Sequence, residues 1–337
     1  MNNKQYSQIM AASALAVLLT ACGGGGGGDS QPGNDTDSPA PPTETVIEAG
    51  VPVAYAPGSI EAFTLSYINS QMTHCGYAPM RGVVDLTAAA TAHANYIALN
   101  GDVMTHDEVQ SNPGFTGQTH RERLRAAGAS EARANSSSEG IGGTSVNSGK
   151  AANGLIAAPM HQADLLDGWS EIGVGTPSGQ GPVNLASDSR LTVLAFGGER
   201  QSVAQGTVRN YPCEGTEGLI SQGTETPNPL PALVAGISGG LTFETSRTGA
   251  LEVDSMTLTD GATGAPLQVV RAVGPAGYTL ANSAKWRTTY VATPPLKDGA
   301  VYRVSAKGRT WSTADKAGTP TNWVREYTFK TFTFSSL

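Results

Sequence analysis

The chain has little charge, few aromatic residues and few cysteines. Of 337 residues, 15% are charged and 6% are aromatic, against 42 glycines and 20 prolines. So thin a supply of charge excludes a long charged coiled coil. The glycine and proline content predicts many loops and linkers, hence two domains with irregular connections at this length. Cations are the scarcer sign: 21 Lys and Arg face 28 Asp and Glu, for a net charge of −7. No cationic surplus is left to neutralise a phosphate backbone, so nucleic acid is not the expected partner. Long apolar runs are missing too. The N-terminal run, Ile9 to Leu19 behind the lone charge of Lys4, has 11 residues, well short of the ~20 that a spanning helix needs. It reads as the core of a signal peptide over residues 1–21. No repeat recurs at a solenoid period.

The apolar run ends in Leu19-Thr20-Ala21-Cys22, which resembles the lipobox of bacterial lipoproteins, whose Cys is acylated and becomes the new N-terminus. An ordinary signal peptide cut nearby is the alternative. Gly23 to Gly28 are unbroken glycine, and a Pro/Thr/Ser/Asp stretch follows. With almost nothing to bury, residues 22–57 are expected to form a flexible tether. The resemblance implies a lipid-anchored protein of the cell envelope, with the membrane as partner through Cys22. Gly23 after that Cys resembles lipoproteins sent to the outer membrane of Gram-negative bacteria. Cys75 and Cys213 remain, and an exported chain permits a bridge between them. Two separate buried thiols are the alternative.

Helical spacing begins near Ser59 with Ile60, Phe63, Tyr67 and Ile68, and stops before Cys75. Asp85 is read as the N-cap of an Ala-rich helix over 86–99, which Asn100-Gly101 ends. Thr119 and Glu122 form a capping-box pattern, and 149–155 and 159–166 predict two short helices. The period then changes to strands at 171–175 and 191–196. Residues 215–231 read as a Gly/Thr/Pro-rich linker. Beyond it, short alternating runs at 241–244, 251–253, 256–258, 267–270, 289–291, 301–304 and 327–329 predict an antiparallel, immunoglobulin-like β-sandwich over 232–337.

Two motifs carry no chemistry here. Gly236-Ile237-Ser238-Gly239-Gly240 has the spacing of a nucleophile elbow, but a strand follows the Ser where a helix is needed. Gly143 to Lys150 imitates a phosphate loop, yet Ala151 stands where a Ser or Thr would meet Mg²⁺. Among the histidines, structural or solvated roles suffice for His74, His93 and His120. The four tryptophans read as packing residues, a glycan platform being the alternative.

His106 and His161 stand apart, because they fall within an ordered series of motifs. Tyr67-Ile68-Asn69, Ala92-His93-Ala94-Asn95-Tyr96, Thr105-His106, Glu122-Arg123, Ser138-Glu139-Gly140-Ile141, Pro159-Met160-His161 and Glu171-Ile172-Gly173-Val174-Gly175 occur in sequence. Together they resemble bacterial members of the CAP superfamily: cysteine-rich secretory proteins, antigen 5 and pathogenesis-related proteins, or SCP-domain proteins. The resemblance implies an α+β chain, with an α-β-α sandwich and central cleft over 58–214 preceding the β-sandwich. Many members hold two His and two Glu in that cleft, and some bind zinc there. His106, Glu139 and His161 match three of these positions. The fourth has no match, Gly140 replaces the usual Asn, and Gln162 replaces a common Arg.

Two imidazoles and a carboxylate can supply three zinc ligands and leave a place for water. A metal-free polar cleft, with both histidines hydrogen-bonded to Glu139, is the alternative. Glu108 is a further candidate cleft residue, an exposed acidic loop being the other reading. The function expected is a surface-anchored lipoprotein whose cleft binds a small hydrophobic or envelope-derived ligand without catalysis. A metal-dependent hydrolase or peptidase using His106, Glu139 and His161 is the first alternative. An adhesion or envelope-scaffolding protein is the second.

Overall fold

Caps set the helices. In this computed structural model, which describes residues 47–142, 151–178, 191–221, 225, 238–272 and 285–332, Ser59 accepts from the Ala62 amide and opens α1 (Ile60–His74). Signal peptide, Cys22 and the tether up to residue 46 lie outside the described residues. The rest of the expected tether is tied down: the Val53 amide donates to Gly82 and the Val84 amide to Val51, beside β1 (Arg81–Gly82).

Asp85, read as an N-cap, instead lies inside α2 (Val84–Leu99). Its carboxylate is held by Arg133 at 2.7 Å, and Val83 occupies the cap with no side-chain bond. The capping box does form: Thr119 and Glu122 exchange both bonds at the start of α3 (His120–Ala126). A short α4 (Glu131–Asn135) follows, then β2 (Ser138–Gly142), α5 (Ala151–Ala157) and α6 (Pro159–Leu165).

With β3 (Trp169–Gly175) and β4 (Thr192–Arg200), these strands make a four-stranded sheet ordered β1-β3-β4-β2. Alternation along β4 divides the core. Val193 and Ala195 join Leu86, Ala89 and Ala90 of α2, whereas Leu194 and Phe196 join Ile68 of α1 and Leu155 of α5. Helix α2 rests directly on β3: a Cβ at Gly173 would lie 2.0 Å from the carbonyl carbon of Leu86, and one at Gly175 2.2 Å from that of Ala90. Glycine at both positions is what lets the helix approach so closely.

The expected bridge forms between Cys75 and Cys213, with 5.5 Å between Cα atoms and 138 positions between them in sequence. Closing a loop of that length removes entropy from the unfolded chain, about 5 kcal/mol in the chain-entropy picture.

The remaining strands are β5 (Arg209–Tyr211), β6 (Thr216–Leu219), β7 (Leu241–Glu244), β8 (Ala250–Asp260), β9 (Pro266–Arg271), β10 (Arg287–Thr293), β11 (Val301–Trp311) and β12 (Thr321–Thr331). The runs at 251–253 and 256–258 are therefore one strand, β8. All eight form a curled sheet ordered β5-β7-β10-β9-β8-β11-β12-β6. β7 and β12 are five places apart, ~24 Å along a flat sheet. The rings of Phe243 on β7 and Trp323 on β12 nevertheless stack at 5.5 Å, so the sheet curls until its two ends face each other. Strand β6 lies within the span expected as a linker, and β5 lies before it, yet both belong to this sheet. Residues 45–337 make one compact unit. The buried Gln162 amide links helix to sheet, donating to Ile156 at 2.9 Å and Gly240 at 3.0 Å. The mixed α+β class expected from sequence is the class observed. No helix among the described residues is long and apolar enough to cross a membrane.

Candidate functional site

Glu139 on β2 is the centre of the densest polar cluster around the candidate residues. Its Oε1 lies 3.0 Å from His106 Nδ1 and 2.8 Å from Arg123 Nη2. Its Oε2 lies 3.2 Å from His120 Nδ1 and 2.9 Å from the same Arg123 nitrogen. The capping box explains two of these partners. It fixes the phase of α3, and His120 and Arg123, three residues apart, then fall on one helical face. Arg123 also donates to the backbone carbonyl of His106 at 2.9 Å, so a single guanidinium positions both the carboxylate and the loop that bears the imidazole.

Glu108 anchors that loop from beneath. Its carboxylate meets His93 Nδ1 at 2.9 Å, accepts from the Thr116 amide at 2.7 Å, and also accepts from the Gly117 amide. His93 Nε2 faces the Thr105 carbonyl at 2.7 Å, so both of its nitrogens face oxygen atoms. Glu108 is therefore a buried support and not an exposed acidic loop residue.

Burial alone would push the Glu139 carboxyl up. The bonds from His106 and His120 and the charge of Arg123 outweigh that cost and hold it well below the usual carboxylate range. Exposure is graded across the cluster. The side chains of His93, Glu108 and Arg123 are wholly buried, whereas that of His106 is 47% exposed. His120 Nε2 is buried and has no hydrogen-bond partner among the described residues.

His161 is placed elsewhere. Glu139 and Gly140 are consecutive on β2 and so project to opposite faces. A Cβ at Gly140 would lie 3.6 Å from the His161 ring, which puts that ring on the face away from the Glu139 carboxylate. His161 Nδ1 instead meets Glu225 at 2.7 Å, and Glu225 also accepts from the Met160 and His161 amides at the start of α6. Burial opposes the charged ring, but the bond and charge of Glu225, with Asp164 behind it, raise its pKa above the ordinary value.

The structure thus joins His106 to Glu139 and does not bring His161 to them. This donor set does not fit a zinc ion shared by the three, because Arg123 also occupies both Glu139 oxygens. Among the described residues, no group of three or more His, Cys, Asp or Glu side chains is arranged to hold a metal ion. Sequence reasoning missed His120, Arg123, His93 and Glu225. The capping box could have revealed the first two. Glu225 lies in a Gly/Thr/Pro-rich stretch that offers no signal.

A structural comparison finds an extracellular protein containing an SCP domain from Bacillus anthracis str. Ames, with a TM-score of 0.33 and 13% identity, over 42% of this chain and 40% of that one. The match spans less than half the length of that neighbour. No family model and no curated protein matches the chain.

Proposed function

We propose that this chain is a CAP-like lipoprotein of the bacterial cell envelope, anchored at the outer membrane through Cys22. On this reading the His106–Glu139–His120 site binds a small hydrophobic or envelope-derived ligand without turning it over. The observation that carries the reading is the unpartnered, buried Nε2 of His120, held in place by the bond from its other nitrogen to Glu139. A polar atom left so costs free energy that a ligand's polar group would recover. Exposed apolar residues accompany it: Leu99, Val103 and Met104 are 61%, 65% and 51% exposed, just before His106 in the chain. Exposed apolar side chains close in sequence to a half-exposed imidazole suit an amphipathic small molecule. Glu139, with its proton affinity held low, is a poor general base near neutral pH, which favours binding over catalysis.

Titration of the protein with Nile red, a neutral apolar fluorophore, tests this reading. Saturable binding lost in both His120→Ala and Met104→Asp supports it, and binding unchanged in both variants overturns it. A hydrolase is the second reading. It rests on the 3.0 Å contact of Glu139 with His106, which orients a half-exposed imidazole as a carboxylate orients a catalytic base. Turnover of peptide or ester substrates abolished by His106→Ala would favour it.

A further inference from the structure

A second polar cluster lies where the end of β4 meets the eight-stranded sheet. Asp167, just past α6, receives three guanidinium groups. Arg247 Nη1 reaches its Oδ1 at 2.6 Å, Arg287 Nη2 reaches the same oxygen at 3.5 Å, and Arg200 pairs with its Oδ2. Arg287 is already committed to Glu244 at 2.9 Å, a carboxylate that Arg209 shares. Four guanidiniums therefore stand on two carboxylates. A further acid among the described residues, Asp164, lies nearby and has its pKa raised by burial, so at most three carboxylates face the four guanidiniums.

Arg287 is wholly buried and structural, donating to the carbonyls of Ala163 and Leu166 at the end of α6. Arg200 and Arg247 also donate to the Asp167 carbonyl, at 3.4 and 2.9 Å, but their side chains keep 27% and 35% of their surface exposed. Both are held by aromatic faces, Arg200 over Trp169 and Arg247 at 4.7 Å over Trp286. Arg200 Nε is buried and has no hydrogen-bond partner among the described residues.

We propose that Arg200 and Arg247 form the mouth of an oxyanion site, walled by Asp167, Arg287 and Trp286, that takes a phosphate- or carboxylate-bearing ligand. The surplus of positive charge is what such a group would neutralise. Rigid guanidiniums with unspent donors recognise planar or tetrahedral oxyanions through paired, charge-assisted bonds. The neighbouring cations add to what burial already costs each guanidinium. Burial, followed by the charge of Arg247, pushes Arg200 down to about 9, with Arg287 adding to the effect against Asp164. Burial and the charge of Arg287 lower Arg247 in the same direction. The site is distinct from the Glu139 cluster and does not depend on the function proposed for it.

The test is NMR of the arginine Nε–Hε groups of the full chain during titration with inorganic phosphate or acetate, at constant ionic strength against chloride. The cross-peak of Arg200, assigned by its loss in Arg200→Gln, is expected to shift saturably. In Arg247→Gln the same titration should show binding weakened ~10-fold, the loss of about one charge-assisted contact. A response to phosphate alone would assign the site to phosphate groups, and a response to acetate as well would extend it to carboxylates. A linear response no larger than that of chloride, or one unchanged in Arg247→Gln, overturns the proposal. Where Arg200→Gln does not fold, the wild type and Arg247→Gln decide, with assignment through backbone correlations.

Discussion

Both carboxylate oxygens of Glu139 accept from one nitrogen of Arg123, at 2.8 and 2.9 Å, in a setting where the arginine side chain has no exposed surface. This pair holds the candidate site together. Its attraction is offset by the removal of each charge from water, so the pair matters most to stability when one partner is taken away and the other stays buried.

Arg123→Met is therefore expected to destabilise the protein by about 3–5 kcal/mol, the cost of a buried carboxylate without its cation. Glu139→Gln added to that variant should recover part of the loss. Urea unfolding of the two variants and the wild type measures both changes. Stability should also fall in acid. The folded Glu139 pKa lies below the ordinary 4.5, so its contribution is present above that value and is lost as pH drops through the folded pKa. Glu139→Gln should flatten that part of the stability profile.

The His161–Glu225 pair carries the opposite sign. The folded His161 pKa is raised above 6.5, so its contribution is complete below pH 6.5 and is lost as pH rises through the folded value. His161→Gln should abolish this loss on the alkaline side. Asp164 also faces His161 and titrates in both proteins, so the wild-type-minus-variant difference isolates the histidine. Proton NMR of the His161 ring, with Glu225→Gln lowering its midpoint, is the direct check.

Gly173→Ala should be among the most damaging of small substitutions. The added carbon would sit 2.0 Å from the backbone of Leu86, so α2 must move off β3. Overpacking of this kind costs about 3 kcal/mol, and backbone cannot yield as a side chain does. Thermal unfolding compares it with Gly154→Ala, where the nearest atom is the end of the Ile220 side chain at 4.0 Å.

Anchoring is tested by cell fractionation. Cys22→Ser should move the protein from the membrane fraction to the soluble one, because a single Cys carries the proposed acyl attachment. Retention in the membrane would count against lipidation.

Much of the architecture is legible in the chain because local rules govern it. The Thr119–Glu122 capping box, the Ser59 cap and the alternating runs that become β7 to β12 each depend on residues a few positions apart. Asp85 departs from its local pattern for a complementary reason. Its type suits an N-cap, but Arg133, 48 positions away, claims its carboxylate, and no local pattern announces that. Likewise the two runs at 251–253 and 256–258 fuse into β8 because β11 pairs along both, with a shift in register between Lys307 and Gly308.

Local pattern thus sufficed for the mixed class, for the starts of α1 and α3 and for most of the strands from β7 to β12, but not for the start of α2 or for β5 and β6. The two cysteines that remain beside Cys22 permit either a Cys75–Cys213 bridge or two separate buried thiols, and only the fold, which brings their Cα atoms to 5.5 Å, decides for the bridge. No local spacing joins His106 to Glu139; the two come forward together only through the resemblance to the CAP superfamily. Which groups share a carboxylate was left to the folded chain. The alternation of β2 sends Glu139 and Gly140 to opposite faces, so His161 lands beside Glu225 while Arg123 and His120 take its expected place. Partners that meet across 16 to 64 positions are selected by how strands and helices stack, and stacking is a property of the folded chain rather than of any segment of it.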